Sequence, residues 1–356
     1  MAVPAASRPV RVLLVPPEQW QPERDAFVPG RMPDPFTIYR VMQRYGVEVE
    51  LFDPHDAVVR SIAGRHPIYT GLDPLRAMKV LTRHRDIDLL LSVFESPATI
   101  PLLLRRLLRY RPKIAMWDIV PERHWLPRRL LQRASLPRVD HVFVLSRFHQ
   151  DYLRTRYGRS SSVVWQHLDV DFFRPEPAPT HGPILAIGDD QGRDFDTFIA
   201  AVSDLDVDVV VKTRRALPQM SGRARITQIP QRLSFVELRA LYASAALVVV
   251  PLHETLNASG VGSILEAMAM ARPLVVSDNP PIRDYVVADE TALVVPPHDP
   301  AALRAAIRTL LDDPRRAATL AAAGRERVVA EFSDQAVGRR MAGEIRRLIA
   351  GDIRAD

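Results

Sequence analysis

The sequence predicts an α/β protein built from two open parallel sheets in tandem. Three observations carry that expectation: short apolar runs alternate with helical patterns along the chain, a proline-rich break falls near its middle, and 356 residues suffice for two cores. Parallel strands covered on both faces read as near-continuous apolar runs, which is how most of these segments read.

Residues 11–15 (RVLLV) and 47–52 (VEVELF) read as strands, and the apolar and aromatic positions of 36–45 supply a helix between them, a βαβ unit. The alternation continues with a strand at 87–93, a helix at 99–110, a strand at 113–117, a helix around 128–134, a strand at 141–146 and a helix at 148–157. Residues 173–183 (FRPEPAPTHGP) hold four prolines and no apolar period, so they read as a linker. A second series follows, with strands at 184–187, 207–211, 247–250, 274–276 and 292–295, helices between them, helical segments at 300–311 and 314–331, and an amphipathic helix at 335–349. The expected organisation is a domain at 1–173, a linker at 174–183, a second domain at 184–333, and a C-terminal helix within 334–356 that crosses back to the first domain. Open parallel sheets bind ligands beyond the carboxyl ends of their strands, which makes the cleft between the domains the expected site.

Composition narrows the function. No apolar run approaches the ~20 residues that cross a bilayer. The run at 10–15 is too short for a signal-peptide core and runs into Pro16 and Pro17, so a cytoplasmic location is expected. The absence of cysteine removes disulfides, thiolate metal sites and cysteine nucleophiles together. The net charge of +6 rests on arginine, since Lys79, Lys113 and Lys212 are the only lysines. An arginine surplus of this kind is weak ground for nucleic acid, and none is expected as a partner.

The densest chemical signal is 257–284, NASGVGSILEAMAMARPLVVSDNPPIRD. Ser259, Gly260, Val261, Gly262 and Ser263 join a strand to a helix, where free backbone N–H groups and the helix dipole favour a phosphate. A tight turn is the plain alternative. Glu266 lies one turn into that apolar helix, and its carboxylate can accept two hydroxyl hydrogen bonds, as a ribose diol offers, or simply face solvent.

LEAMAMARPLVVSD resembles the C-terminal signature of the retaining glycosyltransferases of family 4 (glycosyl transferases group 1). ETALVVPPHDPAALRAAI, SFVELRALYASAALVVVPL, VDHVFVLSRFHQDYL and HLDVDFFRP resemble further segments of that family, so the likeness runs from about Val139 to Arg327. It implies a GT-B fold, with two Rossmann-like domains whose parallel sheets face each other across a cleft. It also implies transfer with retention of anomeric configuration, no required cofactor or metal, and a nucleotide sugar, a UDP- or GDP-sugar above others, as donor. By the same resemblance Glu266 binds the ribose, and Arg193 stands where the family carries a phosphate-binding lysine. A guanidinium suits a bidentate phosphate contact, and Lys212, ending a strand, is positioned as a second ligand. Surface ion pairs are the alternative for both.

The chain also departs from the family. The family's first glutamate falls eight positions before the second, where this sequence has Ala258, so Glu254 or Asn257 is expected to take over sugar contact. The paired glycines after the first strand are replaced by PPEQWQPER, leaving Gly30 as the nearby flexible turn. The family's histidine after the fourth strand has become Trp117-Asp118, so Asp118 and His124 are the acceptor-side candidates. The acceptor itself is left open as a sugar, a lipid-linked sugar or a small molecule. Asp204, Asp206 and Asp208 resemble a metal-binding Asp-x-Asp, but their position leading into a strand points to solvated residues, and no metal is assigned. A non-catalytic nucleotide-sugar-binding protein of the same fold is the competing reading. PLLLRRLLRYRPK and WLPRRLLQRASLPR place arginines beside leucines, which reads either as sheet-covering helices or as peripheral contact with the inner face of a membrane.

Overall fold

The computed structural model describes residues 8–55, 72–118, 126–177, 182–219 and 222–353. The chain forms two compact units, Met1–Phe27 with Pro35–Trp165 and Val337–Asp356, and Val28–Asp34 with Gln166–Ala336.

In the first unit, β1 (Val10–Val15), β2 (Val47–Leu51), β3 (Leu89–Val93), β4 (Lys113–Trp117), β5 (His141–Val144) and β6 (Ser162–Val163) make a parallel sheet in the order β2-β1-β3-β4-β5-β6. Among the described residues its helices are α1 (Gln21–Asp25), α2 (Thr37–Arg44), α3 (Pro74–Arg83), α4 (Ser96–Leu104), α5 (Leu126–Ser135) and α6 (Arg147–Tyr157). Side chains alternate along each strand, so β1 sends Val12 and Leu14 to one face and Leu13 and Val15 to the other, and both faces are buried. Ile38 and Met42 of α2 cover the first face, whereas Val80 and Leu81 of α3, Leu102 of α4 and Leu153 of α6 cover the second.

In the second unit, β7 (Ile184–Ile187), β8 (Asp208–Lys212), β9 (Arg225–Ile229), β10 (Leu247–Val250), β11 (Leu274–Ser277) and β12 (Leu293–Val295) form a parallel sheet in the order β12-β11-β10-β7-β8-β9. Strand order reverses between β7 and β10, and crevices at such a switch point are where doubly wound sheets take ligands. The helices are α7 (Phe195–Val202), α8 (Phe235–Ser244), α9 (Val261–Ala269), α10 (Pro300–Asp312) and α11 (Pro314–Arg327). Asp194, Asp299 and Asp313 cap α7, α10 and α11, and Ser234 with Glu237 forms a capping box on α8. Helix α9 differs: its N-cap is Gly260 at φ 85°, with no side chain on its free amides.

After α11 a π-helical turn, Val328–Phe332, leads into α12 (Asp334–Ala350), whose Val337, Met341, Ala342, Ile345 and Leu348 complete the first face of the first unit's core. Among the described residues no helix is long and apolar enough to cross a membrane.

Several sequence-based boundaries move. The helix expected at 99–110 is α4, which starts at Ser96 and ends at Leu104; turns follow, with Arg109 at φ 49°. The two segments between α7 and α8 include β9, which sequence reading missed. It is an edge strand of alternating exposed and half-buried residues with one long apolar side chain at each of two positions, too few for a buried-strand pattern. Of the proline-rich stretch, 178–181 lie outside the described residues. Before them, Phe172 and Phe173 are buried, Arg239 lies 4.9 Å over the Phe172 ring, and Arg272 Nη2 donates to the Glu176 carbonyl at 2.7 Å, so this stretch packs on the second unit.

Candidate active site

The turns leaving β7 and β10 meet at the switch point. Arg193, after β7, forms an isolated antiparallel bridge with Leu252, after β10, and the Asp194 amide donates to the Pro251 carbonyl at 3.1 Å. These contacts hold the β7 turn against the loop that opens α9.

Arg193 is 3% exposed. Its Nη2 donates to Ser263 Oγ at 2.9 Å, its Nε lies 3.1 Å from Asp190 Oδ2, and its Nη1 is buried with no hydrogen-bond partner. A buried charged donor without a hydrogen bond is costly and calls for an explanation. Two glycines make room for it. A Cβ at Gly188 would fall 1.9 Å from Arg193 Nε, and one at Gly260 would fall 2.8 Å from Nη1. Burial lowers the guanidinium's pKa, and Asp190, Tyr242 and Glu266 oppose that shift.

Glu266 projects from α9 into the same cluster. Its Oε2 accepts the hydroxyl of the fully buried Tyr242 at 2.7 Å. Burial pushes the Glu266 carboxyl up to about 7, against the Tyr242 hydrogen bond and the charge of Arg193, while burial and Glu266 together drive the Tyr242 hydroxyl well above its usual range. Ser263, Val261 and Gly260 are buried in the first turn of α9, and Gly262 is half-buried beside Gln166. Ser259 packs its hydroxyl where a Cβ on Gly192 would otherwise sit. Asn257 Oδ1 is buried without a partner, whereas Glu254 is exposed. Asn279 steadies this loop through Nδ2 to Thr255 Oγ1 at 2.9 Å.

Lys212 ends β8 with its Nζ 3.7 Å from Asp189 Oδ2, and it is mostly buried. Arg214 Nε reaches the same oxygen at 2.9 Å, and Arg215 Nη1 donates to the Arg193 carbonyl at 2.8 Å. Arg193, Gly260, Ser263 and Glu266 are thus one cluster, with Lys212 beside it on the neighbouring strand.

The acceptor-side candidates are described each within its own unit. Gly30 is an exposed turn at φ 76° within the second unit, and Asp118 is at φ 67° after β4 in the first, its amide donating to the Phe143 carbonyl at 2.8 Å. His124 lies outside the described residues. Asp206 and Asp208 each pair with Arg225 at 2.6 Å on the surface, as solvated residues do.

Sequence reading missed Tyr242, Arg215, and the trio Asp194, His253 and His298. The KTRR run could have pointed to Arg215. Tyr242 looks like any aromatic on an apolar helix, and the trio is assembled from three distant turns, so nothing local announces either.

Residues 196–313 match the family model described as Glycosyl transferases group 1. Over 113 residues the chain is 36% identical to the glycogen synthase of Mycobacterium tuberculosis, an alignment spanning 32% of this chain and 27% of that protein. Over 191 residues it is 31% identical to the MMP alpha-(1->4)-mannosyltransferase of Mycolicibacterium hassiacum, 49% of this chain and 45% of that protein. The chain therefore aligns with less than half the length of these curated relatives. Among solved structures, sucrose-phosphate synthase from Thermosynechococcus elongatus superposes with a TM-score of 0.72 at 20% identity, over 96% of this chain and 100% of that one. Anabaena HepE in complex with UDP gives 0.66 at 14% identity, over 95% and 100%. The two parallel six-stranded sheets are thus those of the GT-B glycosyltransferase fold.

Proposed function

We propose that this chain, glycosyltransferase-like in sequence over residues 196–313 and in fold throughout, moves a sugar from a nucleotide-sugar donor to an acceptor hydroxyl with retention of configuration. The observation that carries the reading is the buried Arg193 guanidinium, with Nη1 unpartnered, beside the uncapped N-terminus of α9 at the strand-order switch. A diphosphate oxygen would satisfy Nη1, and the first-turn amides of α9 would bind the same anion.

Sugar transfer passes through an oxocarbenium-like state as the diphosphate departs, so stabilising that leaving charge is the protein's main task. Arg193, Lys212 and the amides of Gly260 to Ser263 take that role, and the leaving phosphate accepts the acceptor's proton. No carboxylate nucleophile is then required. Glu266 accepts the ribose hydroxyls, with Tyr242 holding its other oxygen. Asn257 meets the donor sugar in place of the missing carboxylate. Asp118, His124 and Gly30 belong to the acceptor side, and the donor is a UDP- or GDP-sugar; Anabaena HepE has been solved with UDP-glucose.

Thermal unfolding with UDP, GDP, ADP and TDP tests the donor site: a nucleotide at 100 times its Kd adds about 2.7 kcal/mol of stability. Failure of all four to shift Tm at millimolar concentration removes the donor site. Product analysis with the stabilising nucleotide's sugars then separates transfer from binding alone.

Exposed Leu103, Leu107 and Leu130, with exposed Arg106, Arg109 and Arg133, favour a lipid-linked acceptor at an anionic membrane surface. Sedimentation with anionic vesicles that weakens as salt rises supports this docking, and protein left in the supernatant at low salt favours a soluble acceptor.

A further inference from the structure

The turns leaving β7, β10 and β12 bring Asp194, His253 and His298 together. Asp194 caps α7, its Oδ1 accepting the Thr197 amide at 3.0 Å. The His253 amide donates to the Gly192 carbonyl at 2.9 Å, which fixes that residue against the β7 turn. His298 sits at φ 59°, a backbone conformation uncommon outside glycine.

Both imidazoles aim Nδ1 at one oxygen, Asp194 Oδ2, from 3.5 Å for His253 and 2.9 Å for His298. The Thr197 hydroxyl donates to that same oxygen at 2.7 Å. Two imidazole nitrogens thus face an oxygen that already accepts the Thr197 hydroxyl, within a carboxylate side chain 2% exposed. With its proton on Nε2 each imidazole presents an Nδ1 lone pair to that oxygen, and a cation between the three side chains turns this meeting of lone pairs into ligation.

The distances fit such an ion. Metal–ligand bonds of about 2.0–2.1 Å in a tetrahedron put neighbouring ligand atoms about 3.4 Å apart, and the two Nδ1–Oδ2 separations lie on either side of that value. All three ligand atoms lie within 4.8 Å of one another. Two imidazoles and one carboxylate suit zinc and its neighbours, whereas magnesium and calcium prefer oxygen alone. The Thr197 hydroxyl, bonded to the ligating carboxylate, supplies the outer support that such sites use.

We infer that Asp194, His253 and His298 form a binding site for a zinc-class divalent cation, three protein ligands with a fourth position open to water. The ion ties together the three turns that surround the Arg193 cluster. Its place is structural, since the transfer chemistry proposed above draws on no metal, and the site stands whether or not the chain transfers sugar.

The test uses full-length protein without a polyhistidine tag, stripped with a chelator and titrated with Co2+. A visible absorption band of tetrahedral intensity should rise to one equivalent per chain and vanish as Zn2+ is added, and Zn2+ should raise Tm. His253→Ala and His298→Asn alter partly exposed side chains, and asparagine tolerates the left-handed backbone. Loss of an outer-shell partner already costs about 10–100-fold in metal affinity, so each variant should bind at least roughly tenfold more weakly while keeping its far-ultraviolet circular dichroism. The proposal is overturned if the wild type shows no saturable band, if the band survives in both folded variants, or if Mg2+ raises Tm as much as Zn2+ does.

Discussion

At the residue scale, the Glu266 carboxyl has a raised pKa of about 7 against an ordinary 4.5, chiefly through burial. Between those values the folded protein holds a proton that the unfolded chain has released, so this group's contribution to stability falls as pH rises from about 4.5 to 7. Above that window the full cost of a buried charge remains. Glu266→Gln removes the titration, and urea unfolding across the window should show wild-type stability declining relative to the variant; parallel profiles would mean the carboxyl titrates normally. The same variant should bind nucleoside diphosphate more weakly at pH 8, by about 1.5–3 kcal/mol, because charged hydrogen bonds to ribose are lost. Below pH 6, where the wild-type carboxyl is itself protonated, the difference should shrink. Arg193→Ala should lower kcat at saturating donor by about 10²–10³, the usual effect of removing one donor from a developing anion. Wild-type turnover in that variant would make Arg193 a structural cation. Its neighbour Ser263 is the hydroxyl to follow by the same assay, since it holds Nη2 in place.

At the element scale, the first turn of α9 works because Gly260 gives up a side chain. At φ 85°, with a Cβ only 2.8 Å from Arg193 Nη1, Gly260→Ala meets both backbone strain and a displaced guanidinium. It should destabilise the fold by about 1–2 kcal/mol and depress turnover together. Chemical denaturation and steady-state rates on one preparation check this, and a variant that loses stability but keeps its rate separates the turn from the chemistry. Much of this element was legible in sequence: the glycines, the following apolar helix with Glu266 one turn in, and the strand ending at Pro251 mark a strand, a turn and a helix, which is what the chain forms. The strands with continuous apolar runs, such as 11–15 and 247–250, were equally plain. Edge strand β9 was not, because an edge needs only one covered face and few apolar residues. Helix α4 began earlier than its pattern suggested because Pro97 is welcome in a first turn, where its missing N–H costs nothing. Tyr242 and the Asp194 trio stayed hidden because their meaning depends on which loops the sheet order brings side by side.

At the scale of the whole molecule, the first unit is discontinuous in sequence. Helix α12 lays Val337, Met341, Ile345 and Leu348 on the face that holds Val12, Leu14, Leu89 and Phe143, and Lys113 Nζ donates to the Leu348 carbonyl at its far end. Burying four such side chains contributes roughly 1.5–3 kcal/mol each, comparable with the whole stability of a domain. A chain cut after Ser333 should therefore lose the cooperative unfolding of its first unit while the second still melts as a unit. Calorimetry showing two intact transitions in that truncation would mean the helix is dispensable. The same arrangement bears on biosynthesis. Residues 8–165 leave the ribosome long before the helix that finishes their core, whereas every strand of the second sheet is already out when α12 begins to emerge. The half made first is thus completed last, since its first face gains Val337, Met341, Ile345 and Leu348 only after the second sheet has been made. A nascent chain stalled just short of α12 should resist protease across the second sheet and be cut readily within the first.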